Sequence, residues 1–362
     1  MSLQSLRAFI QKVHPDFIVP CDDGVVWQLH QLHSQNSALQ PLIERSLGSA
    51  EAYSIIRSRG EFLRVASDLN IRVPVTRNVD SEADVRAAWA EVPAVLKLDG
   101  TWGGAGVAIA QSLSDALAAF RKLALPINVG VAWKRWLINQ DPIALWTWHR
   151  SKRSSVTMQE FIAGRPANTM MACWQGEVLA LVSVEVLSSQ GPTGAATVVQ
   201  IVQNDEIEQA ARKLARELNL SGFHGLDFIL EEDSEAAYLI ELNPRCTQLG
   251  HLRLWSQGDL AGQVCARLWN QLPEVPALED CIQGNTIAFF PQALMWNPKS
   301  RYLRNGYHDV PWEEPALVRE LLRAAWPERR LLSRIYHHYR APKRQQEVSF
   351  ERPKKVATLQ GP

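Results

Sequence analysis

The sequence predicts an α/β protein with two lobes of sheet and helix, and three observations carry that prediction. Helical stretches opened by capping residues alternate with short apolar runs over 58–124. A second series of strand-like runs lies at 157–162, 169–174, 178–186, 225–230 and 238–242, interrupted by one helical stretch over 205–218. The last two runs flank a polar turn, Glu231-Glu232-Asp233-Ser234-Glu235, and so predict a β-hairpin. At 362 residues the chain exceeds one average domain, and two or three packed subdomains are expected.

In chain order, a helix over 3–13 leads into Pro15-Asp16-Phe17-Ile18-Val19-Pro20, an apolar run between prolines that reads as a buried strand. Asp22-Asp23-Gly24 then opens a helix through Leu32, and residues 1–54 are expected to form a partial α/β domain. Over 55–125 follow a helix at 58–69, the run Ile71-Arg72-Val73-Pro74, a helix capped by Ser81 and a strand at 92–98. A glycine loop at 100–106, an apolar β-like segment at 107–110 and a helix capped by Ser114 complete this lobe. Residues 126–155 are rich in Trp and basic side chains, as in Trp133-Lys134-Arg135-Trp136, and read as an insertion between the lobes. Either a substrate lid or interfacial surface, or an insertion packed on its own domain, suits that composition, and the second is the default. A second lobe is expected over 156–290, with a further strand at 286–290, then a helical, basic extension over 291–362.

Lys plus Arg equals Asp plus Glu at 38 each, so net charge gives no reason to expect nucleic acid as a partner. The five cysteines are scattered without a C-x-x-C pair, which points to reduced thiols rather than a zinc site or disulfide framework. No run approaches the ~18 apolar residues of a membrane helix, and the N-terminus lacks the basic-then-apolar secretory pattern. The expected location is the cytoplasm.

The hairpin carries the most chemistry. If its turn is centred on Ser234, Asp227 faces Glu241, Phe228 faces Ile240 and Leu230 faces Tyr238. Opposed side chains have Cβ atoms ~4.5–5.5 Å apart, so two carboxylates there repel unless a cation lies between them. Asn243 shares the Glu241 face, and two carboxylates with an amide oxygen make a hard-oxygen set suited to Mg²⁺. Arg245, just past the strand, is placed to reach a phosphoryl group beside that ion. Upstream, Lys97 ends a strand and is followed by a loop containing Gly100, Gly103, Gly104 and Gly106. Such glycines let backbone N–H groups approach phosphate, and the lysine adds a point charge. No Lys-Ser or Lys-Thr closes the loop, so it is a strand–loop–strand flap rather than a Walker loop. Taken alone it is equally a plain hairpin turn.

In this order, the lysine and glycine flap, the hinge Gln159-Glu160-Phe161-Ile162-Ala163-Gly164 and the hairpin ending Glu241-Leu242-Asn243-Pro244-Arg245 resemble the ATP-grasp superfamily over 58–251. The resemblance implies two lobes around a nucleotide, preceded by a Rossmann-like front domain that is shortened here. It further implies that Glu160 and Ile162 offer backbone groups to adenine, with Gln159 near its amino group. Lys97 would bind nucleotide phosphate with the glycines, and Asp227, Glu241 and Asn243 would hold one or two Mg²⁺, with Mn²⁺ as a substitute. Arg245 would steady the transferred phosphoryl group. Arg59 stands where the family often has a lysine, and Pro166 where an acid usually holds the ribose.

The implied activity is an ATP- and Mg²⁺-dependent ligase that activates a carboxylate as an acyl phosphate for attack by an amine or another nucleophile. Its partners would be small molecules, possible homo-oligomerisation aside. Two alternatives stand beside it: a non-catalytic nucleotide-binding or regulatory protein, and a carbamoyl-phosphate-type or carboxylating enzyme. His224, His251 and Cys246 flank the hairpin, and structural roles are the expectation for each.

Overall fold

The computed structural model describes residues 2–99, 106–124, 155–254, 258–271, 282, 284–323 and 348–350. Its front segment holds four α-helices, α1 (Leu3–Val13), α2 (Asp23–Gln35), α3 (Gln40–Leu47) and α4 (Tyr53–Arg57). They close around Leu6, Ile10, Leu29, Leu32, Ile43 and Tyr53. Asp22 caps α2 by accepting the Val25 N–H at 3.3 Å, which ends the extended chain before it.

The strand expected over 15–20 does not form, and among the described residues the front segment is helical rather than a remnant of a Rossmann-like sheet. Among the described residues no strand pairs with this run. Its backbone groups are instead satisfied singly: Ile18 N–H donates to Ser46 Oγ at 3.0 Å, and the Pro20 carbonyl accepts from Cys246 N–H at 2.9 Å.

Helix α5 (Arg59–Asp68) begins as expected at Ser58, whose hydroxyl accepts the Glu61 N–H at 3.4 Å. Beyond it lie β1 (Thr76–Val79), α6 (Glu82–Ala88), β2 (Ala94–Leu98), β3 (Val107–Ala110) and α7 (Leu113–Ala124). Ser112 rather than Ser114 caps α7, accepting the Asp115 N–H at 3.2 Å. Strand β4 (Val156–Glu160) joins the first sheet, whose order is β1-β4-β2-β3, and so leaves the second lobe to which its sequence position assigned it. β1 was not anticipated, since Thr76-Arg77-Asn78-Val79 contains one apolar residue and gains its strand geometry by pairing with β4. The β2–β3 hairpin confirms a strand–loop–strand arrangement around the flap, with Leu98 N–H donating to Gly106 O at 2.9 Å. Gly103 and Gly104 lie outside the described residues, as do the 126–155 insertion except Ser155 and, within the 291–362 extension, residues 324–347 and 351–362.

The second sheet is built from β5 (Gly164–Trp174), β6 (Glu177–Ser189), β7 (Ala196–Ile201), β8 (Gly222–Glu231) and β9 (Ala237–Asn243), with α8 (Asp205–Glu217) between β7 and β8. After them come a short ribbon of β10 (Arg253–Leu254) and β11 (Gly258–Asp259), then α9 (Leu260–Leu268), β12 (Thr286–Phe289), β13 (Tyr307–Asp309) and β14 (Val348–Ser349). The order is β13-β12-β7-β6-β5-β8-β9, with β14 on β6. Its two faces follow the period of two along each strand. Met171, Phe228 and Leu239 pack with Phe62 of α5 and Leu214 of α8, whereas Met170, Val184 and Phe223 pack with Leu260 and Val264 of α9.

The hairpin register corrects one expectation. Asp227 does face Glu241, but a β-bulge follows, so Phe228 faces Leu239 and Leu230 faces Ala237 instead of Ile240 and Tyr238. The extra residue lets Leu239 and Ala237 enter the core while Ile240 and Glu241 both turn toward the cleft.

Gly222 opens β8 at φ +82°, and a Cβ there would meet the Ser46 carbonyl of α3. Gly222→Ala is therefore expected to destabilise the chain by about 2 kcal/mol or more. Urea unfolding checks this, and an unchanged midpoint would show that the front segment does not seat on β8.

Candidate active site: a charged cleft between the two sheets

Because side chains alternate along β2, Ala94 and Leu96 enter the first lobe's core while Val95, Lys97 and Asp99 face a cleft of about 520 Å³. That volume lies in the range of small-molecule sites. β4 and the residues beyond it bring Gln159, Glu160 and Ile162 to the same cleft, β5 brings Asn168, and the β8–β9 hairpin brings Asp227, Glu241 and Asn243. Arg59 of α5, Asp23 of α2, Arg57 and Arg245 add to the charged lining.

The guanidinium of Arg59 forks across the site, donating from Nη1 to Asp99 Oδ1 at 3.0 Å and from Nη2 to Glu241 Oε1 at 2.7 Å. Its side chain is only 9% exposed, and its buried Nε has no partner in the structure. Asp227 accepts from Asn168 Nδ2 at 2.6 Å and from Asn243 Nδ2 at 3.1 Å. Since those bonds use the nitrogen of Asn243, its carbonyl oxygen is the atom left to meet a cation. Burial, and then the facing Glu241, push the Asp227 carboxyl up to about 6. Burial likewise raises Asp99, against the pull of Arg59. Lys97 is 5% exposed, and burial lowers its ammonium to about 8 although Glu241 and Asp227 favour the charge. It thus stays largely protonated at neutral pH.

Among the described residues no three or more His, Cys, Asp and Glu side chains form a ready cation cage. Mg²⁺ does not demand one, because it is commonly held by one or two carboxylates together with phosphate oxygens. Asp227 fits that role: burial and then the facing Glu241 raise its carboxyl, and a divalent cation between the two acids would lower it. Glu241 fits with its second oxygen, as Oε1 is held by Arg59.

Gln159 is buried and its Nε2 has no partner, an unusual cost that a bound polar group in the cleft would offset. Glu160 donates its N–H to Val75 O at 2.9 Å, which leaves its carbonyl as the group to offer a ligand. Arg245 is turned toward Asp23, donating from Nε to Oδ2 at 2.9 Å. Arg57, also in the cleft lining, lies 4.7 Å above the Trp27 ring.

Three contributors escaped the sequence reading. Asp99 follows Lys97 by two and was available from strand period alone. Asn168 is opposite Asp227 only through the β5–β8 pairing, and Asp23 meets Arg245 only through the seating of α2. Of the flanking groups, His224 is buried, hydrogen-bonds Ser221 O at 2.8 Å and is lowered to about 4 by burial. His251 pairs with Asp309, outside the cleft. The Cys246 thiol is pushed up to about 11 by burial first and then by Cys21, against the pull of Arg245.

The raised Asp227 pKa has a stability consequence. Between 3.8 and about 6 the folded chain keeps a proton that the unfolded chain releases, so stability falls as pH rises through this window. In chelator, the wild type is expected to lose up to ~3 kcal/mol between pH 4 and 7, and Asp227→Asn to lose less. Urea unfolding across pH reads the slope; a slope that survives the substitution would belong to another group.

Residues 144–248 match the family described as ATP-grasp domain. No curated protein sequence matches the chain. Among solved structures, the biotin carboxylase domain of Hydrogenobacter thermophilus 2-oxoglutarate carboxylase, bound to ADP, its magnesium salt and bicarbonate, aligns with a TM-score of 0.54 at 14% identity. That alignment covers 77% of this chain and 59% of the other. The ADP complex of an N5-carboxyaminoimidazole ribonucleotide synthetase aligns with a TM-score of 0.53 at 16% identity over 77% of this chain and 67% of that one. The ADP complex of the Staphylococcus aureus N5-carboxyaminoimidazole synthetase gives 0.51 at 14% identity, over 75% and 64%. The chain thus spans less than two thirds of the length of the first and third of these proteins. The chain therefore has the fold of these ATP-grasp structures, and its residues 144–248 match the ATP-grasp domain.

Proposed function

We propose that the protein is an ATP- and Mg²⁺-dependent ligase that converts a carboxylate to an acyl phosphate and joins it to an amine or another nucleophile. The observation that carries this reading is the in-register pair of Asp227 and Glu241, faced by Lys97 and Arg59 in one cleft. Two opposed acids invite a cation, and two basic side chains beside them invite the phosphate that such a cation accompanies. The ADP and magnesium in structures of the same fold support the same reading.

In this reading Gln159 and the backbone of Glu160 and Ile162 hold the adenine edge, and Lys97 with the flap glycines 103, 104 and 106 holds phosphate. Asp227, Glu241 and Asn243 would ligate one or two Mg²⁺, which would offset phosphate charge there. Arg59 keeps Glu241 oriented and adds positive charge at the phosphates. Arg245 donates to the transferring phosphoryl group while Asp23 fixes its direction. A carboxylate becomes a usable electrophile once one oxygen is part of a phosphate leaving group, and the chain's task is to align the two anions and offset their repulsion.

Calorimetry with ATP and Mg²⁺, followed by ADP release over a panel of amino acids, small carboxylic acids and bicarbonate, tests the proposal. Bicarbonate belongs in the panel because it accompanies ADP in the Hydrogenobacter thermophilus structure. Lys97→Ala and Glu241→Ala are each expected to reduce ADP formation by about 100-fold or more. Full activity in either variant would overturn the site assignment, and tight nucleotide binding without substrate-stimulated turnover would assign a regulatory role instead.

A further inference from the structure

We propose that Cys21 and Cys246 are an oxidation site that forms a reversible intramolecular disulfide by exchange with a low-molecular-weight disulfide such as oxidised glutathione. The cross-link would fasten the front helical segment to the end of the carboxylate hairpin. Cys246 N–H donates to the Pro20 carbonyl at 2.9 Å, and that carbonyl belongs to the peptide unit leading into Cys21. One such bond brings the two Cα atoms to roughly the 4.4–6.8 Å that a disulfide spans. A second tie lies beside it, from Arg245 Nε to Asp23 Oδ2 at 2.9 Å, so residues 20–23 and 245–246 are held side by side. The Cys21 side chain is near enough to add to burial in raising the Cys246 thiol. The thiols themselves donate elsewhere, Cys21 Sγ to Val19 O at 3.9 Å and Cys246 Sγ to Thr247 O at 3.6 Å, so each turns about its own χ1 to pair. Behind Cys246 the backbone of Gly250 approaches so closely that a Cβ there would collide with Sγ.

Accessibility sets the order of the chemistry. Cys21 is exposed, whereas Cys246 is half-buried. The Cys21 thiolate attacks one sulfur of the small disulfide, breaking its S–S bond and releasing one small thiolate. The Cys246 thiolate then attacks the Cys21 sulfur of the mixed disulfide, forming the internal bond and releasing the second small thiolate. Two protein thiols are oxidised, one small disulfide is reduced to two thiols, and the two protons pass to the products through solvent. Bonds with one exposed sulfur are the more readily reversed. Cys173, by contrast, is wholly buried on β5.

The test uses the full chain, reduced, freed of reductant and treated with oxidised glutathione in the absence of nucleotide, so it stands apart from the ligase reading. The expected result is a loss of two from the five thiols counted after denaturation, a Cys21–Cys246 cross-linked peptide in a non-reducing digest, and full recovery with dithiothreitol. Cys246→Ser should instead retain a glutathione adduct on Cys21, Cys21→Ser should give no cross-link, and Cys265→Ser should behave as wild type. A stable glutathione adduct on wild-type Cys21, a cross-link between other cysteines, or an unchanged thiol count would each overturn the proposal.

Discussion

Arg59 carries a full positive charge into the seam where three elements meet, and the rest of the site is arranged around that charge. Helix α5 supplies the guanidinium, β2 supplies Asp99 to one arm, and β9 supplies Glu241 to the other. A guanidinium this deeply placed would be costly without partners, so the fork couples the position of the first sheet to that of the second. It also leaves Asp227, Glu241 and Asp99 set against Arg59 and Lys97, so negative and positive groups are interleaved at close range. Phosphate and a divalent cation would substitute for these internal pairs rather than enter a neutral cavity.

The β-bulge after Asp227 has a comparable role on a smaller scale. A regular hairpin would place residues 239 and 240 on opposite faces from those observed, and the core would lose Leu239, which is fully buried. One unpaired residue resolves the conflict between the core's demand for Leu239 and the cleft's demand for Glu241. The acids therefore face each other because the core shifts register immediately beside them.

The helical front segment contributes to the cleft what neither sheet supplies. Asp23 lies in the first turn of α2, directs Arg245 and is seated by contacts around Pro20, Ser46 and Cys246. This part of the cleft is consequently made of residues distant in sequence, joined by a few side-chain and backbone contacts.

Local chemistry in the sequence determined a good deal. Capping residues placed α2, α5 and α6, apolar runs placed most strands of both sheets, and the polar turn at 231–235 paired Asp227 with Glu241. Lys97, Glu241 and Asn243 were legible because their spacing is read within one strand or one hairpin. The tertiary structure alone decided what depends on contacts across the chain. It turned 15–20 into an extended linker without a sheet, drew β4 into the first sheet, and gave β1 a partner. It also set Asn168 against Asp227 and directed Arg59 and Arg245 to carboxylates 182 and 222 residues away. Side-chain periodicity reports which face a residue occupies, whereas the identity of its neighbour on that face is fixed only when separate elements pack and every buried charge and backbone group must find a partner.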